Sequence, residues 1–176
     1  MCEKTARRDL RGGGRETGRP TSMPKENTLA MINKLLPYDP GVLPSAPSPS
    51  KGDSIQLEVA GLPPIKQKRI SLRNPKNPRY QRFVDLREKA TKAMKGKAWY
   101  FGAIRLDIEI FYKLKNEIEV PLVDYVGGIM DTLDGSSGLH FTYLPIVYED
   151  DCQVCSGSSG IRQSGETFYK ITIKFL

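Results

Sequence analysis

Residues 103–112 read AIRLDIEIFY. Ile104, Leu106, Ile108 and Ile110 alternate with Arg105, Asp107 and Glu109, the two-residue period of a strand with one face buried and the other in water. Such a strand needs neighbours of the same pattern, and two lie outward from it. Ile55, Leu57 and Val59 alternate with Gln56 and Glu58 and stop at Gly61-Leu62-Pro63-Pro64. Ile171, Ile173 and Phe175 alternate with Lys170, Thr172 and Lys174. Ile146–Tyr148 reads as a further short strand.

Two helical patterns separate these strands. Asn77-Pro78 offers a cap and a first-turn proline, and Tyr80, Phe83, Leu86, Ala90 and Met94 follow at helical spacing until Gly96. Pro121 opens the second helix, with Leu122, Val126, Ile129, Met130 and Leu133 on one face and Gly135 past its end. Gly127 and Gly128 lie inside it, each costing ~1 kcal/mol relative to Ala. Either something approaches that backbone closely or the helix is weak. The order β, α, β, α, β, β predicts an α+β fold, a small mixed sheet with two helices mainly on one face.

The chain has 176 residues, 39% of them hydrophobic, enough for one domain. Residues 1–53 are rich in Gly, Pro, Ser and charge and read as a disordered tail, in which only Thr28–Leu36 has helical character. The folded domain is expected over 54–176. No apolar run is long enough to span a membrane, and the first thirty residues lack the apolar core of a secretory signal, so a cytoplasmic protein is expected. Three cysteines cannot build a disulfide framework, and a lone His140 argues against His-rich zinc sites and a Ser-His-Asp triad. Charge is polarised. Residues 66–97 hold twelve basic against two acidic groups, net +10, whereas 98–176 hold six against eleven, net −5. A basic middle before an acidic end suggests a polyanion-binding surface beside a carboxylate site.

Glu149-Asp150-Asp151 follows the Ile146–Tyr148 run. Adjacent acids repel unless a cation answers them, and an all-oxygen ligand set suits Mg²⁺. Asp124 falls in the first turn of the second helix and would converge with Asp150 and Asp151 if that turn meets the strand end. Asp131 and Asp134 lie further along the helix, where substitution should matter little. Trp99-Tyr100-Phe101 precedes the central strand and reads as packing, with base stacking the alternative. Cys152 and Cys155 have C-x-x-C spacing, but a strand would turn them to opposite faces.

Taken together, three blocks resemble the RusA-type Holliday-junction resolvases. The first is Leu57-Glu-Val-Ala-Gly61-Leu-Pro63-Pro64-Ile-Lys66-Gln-Lys-Arg69. The second is Ile129-Met-Asp131-Thr-Leu133-Asp-Gly135, and the third Val147-Tyr-Glu-Asp150-Asp151-Cys-Gln153-Val154. The resemblance covers about residues 55–176. It implies a bacterial or phage-encoded homodimeric endonuclease of recombination and repair that cuts four-way DNA junctions. It implies Mg²⁺ held by Asp124, Asp150 and Asp151, and DNA bound by Lys66, Lys68, Arg69, Arg73, Lys76, Arg79 and Arg82. The family's D-x-D-N-x-x-K segment is not fully matched: without gaps, Pro121, Val123, Asp124 and Gly127 stand opposite its acids, Asn and Lys, whereas a one-residue shift restores Asp124 as an acid and sets Gly128 opposite the lysine. Glu117 or Glu119 could replace an acid, and Lys66, Lys68 or Arg69 the lysine. The alternative is a RusA-like protein that binds branched or duplex DNA without cutting it.

Overall fold

Four strands form one sheet in the order β1-β4-β2-β3. They are β1 (Ser54–Ala60), β2 (Ile104–Tyr112), β3 (Val154–Gln163) and β4 (Phe168–Phe175). This computed structural model describes residues 46–66, 70–134 and 145–176. β4 runs antiparallel to both β1 and β2, and β3 runs parallel to β2. The alternation in the sequence sets one buried face: Leu57 and Val59 of β1, Ile104 to Ile110 of β2 and Tyr169 to Phe175 of β4. Each fully buried Ile or Leu contributes roughly 1.5–3 kcal/mol. The opposite face carries charge, as in the pairs Lys170–Glu58 (3.3 Å) and Arg105–Asp107 (2.8 Å). Helices α1 (Tyr80–Met94) and α2 (Leu122–Leu133) cover the apolar face, giving the expected α+β architecture. Among the described residues no helix is long and apolar enough to cross a membrane.

Details depart from the sequence reading for identifiable reasons. α1 begins at Tyr80, three residues after the expected cap; Asn77 instead closes the preceding turn, its Oδ1 accepting the Arg79 N–H at 2.8 Å. α1 ends through two left-handed residues, Lys95 (φ 51°) and Gly96 (φ 77°). Arg87, which falls off the apolar stripe of α1, is nonetheless 2% exposed; it donates to the Thr132 carbonyl at 3.0 Å and lies over the Phe83 ring. It thereby joins the two helices.

Residues 146–148 make only an isolated parallel bridge, Tyr100 to Tyr148, and the fifth element is β3. Its sequence, VCSGSSGIRQ, has little strand propensity, and the long parallel register with β2 holds it in place. The glycine there has a steric role, since a Cβ on Gly157 would overlap the Leu106 carbonyl. Residues 47–53, expected in the tail, are hydrogen-bonded to the domain: Pro47 O accepts from Ala98, and Gly52 N–H donates to Phe175 O at 2.7 Å. Thr28–Leu36, Lys68, Arg69, Gly135 and His140 lie outside the described residues.

Candidate metal centre

The last turn of α2 is where the acids meet. Leu133 O accepts the N–H groups of Ile146 and Val147, both at 3.2 Å, and the Tyr148 hydroxyl donates to Met130 O at 3.2 Å. These bonds lay the 146–148 segment against the helix end and bring the following acids beside it. Asp131 and Asp134, three residues apart on one helix face, come together with Asp151, their carboxylate oxygens within 4.8 Å of one another. The convergence is therefore at the end of α2 and not at its start. Asp124 stands seven residues back, about 10 Å along the axis at 1.5 Å per residue, outside this group. Asp131 and Asp134, read as bystanders, are members of it.

A short 3₁₀ turn, Asp151–Gln153, presents Asp151. Asp150 caps that turn by accepting the Cys152 N–H at 2.8 Å, so it shapes the site and adds charge from outside the group of three. Gln153 uses its whole side chain. Its Oε1 accepts from Glu149 and Asp150, at 2.7 and 3.0 Å; its Nε2 donates to Tyr100 O and Gly102 O, at 2.9 and 2.8 Å. The turn is thus bolted to the segment entering β2. A Gln three residues after a cap is the signal for this box, and the sequence reading passed over it.

The electrostatics follow from burial. Asp134 lies under the helix end, and burial followed by the charge of Asp151 pushes its carboxyl up to about 7. Arg73 opposes this shift with a 3.1 Å ion pair, but its Nη2 also donates to the Asp131 carbonyl, and the burial and neighbouring acids outweigh it. Asp151 is raised too, chiefly by burial and then by Asp131. Its Oδ1 is covered and has no hydrogen-bond partner among the described residues. An all-oxygen set with an unanswered buried oxygen and raised acids fits a hard divalent cation.

Lys66 reaches the group by an unusual route. The 61–66 segment lies across α2, with Lys66 N–H donating to Asp124 O at 3.0 Å. A Cβ on Gly128 would overlap the Pro64 carbonyl, and one on Gly127 would sit 2.9 Å from Lys66 Cδ. The glycine pair is the groove through which this segment passes, and the close approach expected of it is made within the chain. Lys66 then runs along the helix to pair with Asp131 at 3.1 Å.

The remaining cations are placed differently. Arg73 is 14% exposed and faces the acids. Arg79 and Arg82 both grip Glu119, so that acid is bound away from the group. Glu117 is held by the Thr167 hydroxyl. Lys76 is exposed. No protein-family model matches the chain, and no curated protein does.

Proposed function

We propose that this chain is a Mg²⁺-dependent DNA endonuclease acting on branched DNA, with the four-way junction of recombination and repair as its substrate and a homodimer as its working form. The observation that carries this reading is the Asp131–Asp134–Asp151 group with Lys66 held on Asp131. Asp131, Asp134 and Asp151 would hold the ion, and Asp150 would keep the 3₁₀ turn in place. When bound, Mg²⁺ supplies a fixed positive charge and acidifies a water beside a phosphate. Lys66 supplies the cation that the family motif would place at Gly127. From its position by Asp131 the Lys66 ammonium would pair with a phosphate oxygen of bound DNA. Arg73 holds the Asp131 carbonyl and the Asp134 carboxylate, fixing the end of α2. Lys76, Lys68 and Arg69 would contact backbone phosphates.

Binding without cutting remains the second reading, favoured by one observation: Lys66 and Arg73 already answer part of the acidic charge. The two separate in one experiment. The full chain is incubated with a synthetic four-way DNA junction in Mg²⁺ and in EDTA. Mg²⁺-dependent nicking is expected, and binding in both conditions with no product in Mg²⁺ would establish the second reading.

A further inference from the structure

The aromatic triplet Trp99-Tyr100-Phe101 is divided by the fold. Tyr100 turns inward; its ring centroid is 5.0 Å from that of Phe175, and its hydroxyl donates to Leu176 O at 2.7 Å. Phe101 is 64% exposed. Trp99, half-buried, tilts against it with centroids 6.0 Å apart, and the covered indole N–H has no hydrogen-bond partner among the described residues.

This segment is fixed from both sides. Ala98 N–H donates to Pro47 O at 3.2 Å, Ser48 Oγ to Trp99 O at 2.8 Å, and Tyr100 N–H to Val147 O at 2.8 Å. From the other side Gln153 Nε2 binds the carbonyls of Tyr100 and Gly102, which bracket Phe101. Gln153 is also the residue that closes the turn of Asp150 and Asp151. An exposed ring is therefore mounted on a rigid backbone, tied through one side chain to the acidic turn.

A lone exposed hydrophobic residue is ordinary. A ring on a fixed backbone, one side chain removed from an acidic turn, is a ready stacking partner, because little backbone freedom is lost when a flat ligand covers it. Bases of a continuous duplex are already stacked on both faces, whereas an unpaired or splayed base at a branch point has a free face. We propose that Phe101, backed by Trp99, is a stacking surface for an unstacked base of DNA held at the carboxylate group, and that it favours branched over continuous DNA. This inference rests on the nucleic-acid reading of that group.

Trp99 is the chain's single tryptophan, so its emission reports directly on the surface. The full chain is titrated in EDTA, where nothing is cut, with a DNA four-way junction and with a linear duplex of the same sequences. The junction should quench Trp99 and the duplex should not. Phe101→Ala should weaken junction binding about tenfold and leave duplex binding within about twofold, as expected for one lost stacking contact. Its melting temperature should not change. Phe101→Tyr should restore the preference, whereas Phe101→Leu, apolar but without an aromatic face, should not. The inference is overturned if Phe101→Leu behaves as wild type, if both DNAs lose affinity equally, if wild type binds neither DNA, or if an RNA junction binds more tightly. Failure of the nuclease reading shows separately, as a junction preference in EDTA with no cutting in Mg²⁺.

Discussion

Asp151 holds its charge in a place that resists it. Burial and the neighbouring Asp131 raise its carboxyl, and one oxygen is covered without a hydrogen-bond partner among the described residues. Asp151→Asn keeps the shape and removes the charge, so junction nicking should fall by orders of magnitude. Junction binding should hold or tighten, because a negative charge facing phosphates is gone. Asp131→Asn should lose nicking comparably, and Asp124→Asn, about two helical turns away, should lose little; rates on labelled junctions check all three. Asp134 yields a prediction in pH. Its carboxyl sits at about 7 in the fold against an ordinary 3.8, so between those values the folded protein binds a proton that the unfolded chain does not. Stability without metal therefore falls as pH rises through that window. Urea melts at several pH values in EDTA should show the wild type losing stability relative to Asp134→Asn from about pH 4 to about pH 7. A difference that stays flat across the window would place Asp134 in a solvated setting.

α2 is shaped by what crosses it. Gly128 lies against the Pro64 carbonyl, a backbone atom that cannot swing aside, and Gly127 against the flexible stem of Lys66. The two positions should respond differently to the same substitution. Gly128→Ala gains ~1 kcal/mol of helix propensity, but the overlap forces the 61–66 segment off the helix, and overpacking of this kind costs ~1–3 kcal/mol or more. A net loss of stability is expected in a urea melt. Gly127→Ala should keep or slightly raise stability, since Lys66 can rotate away, yet nicking should drop because Lys66 leaves Asp131. Stability and nicking rate, measured on both variants, separate a packing glycine from one that clears a path for a side chain.

For the whole molecule, the sheet has one apolar and one charged face, and both helices lie on the former. The described fold closes its first hydrogen bonds to the domain at Pro47 and Ser48. Deleting residues 1–45 should therefore leave the melting temperature within about 2 °C of the full chain, whereas deleting 1–53 should lower it by several degrees. The longer cut removes the bonds made by Pro47, Ser48, Gly52 and Asp53, worth about 0.5–1.5 kcal/mol each. Scanning calorimetry of the two truncations checks this boundary.

The three patterned strands and both helices were legible in the sequence because burial of one face imposes a period on the chain, and a period can be read without coordinates. Gly127 and Gly128 were legible as needing either a close approach or a weak helix, and the structure selects the close approach. The partner in that approach was not legible. β3 was hidden because an edge strand of Ser and Gly carries no period, and only its parallel pairing with β2 makes it a strand. The acids show the same limit. The sequence placed Asp131 and Asp134 further along the second helix and Asp151 after a hydrophobic run. It could not say which end of the helix the acidic turn would meet, because the bonds from Ile146 and Val147 to Leu133 join residues whose pairing no local pattern encodes. Tertiary packing therefore chose Asp131 and Asp134 over Asp124, turned Arg73 inward and drew Lys66 along the helix, while local periodicity alone had settled the helix that the two acids end.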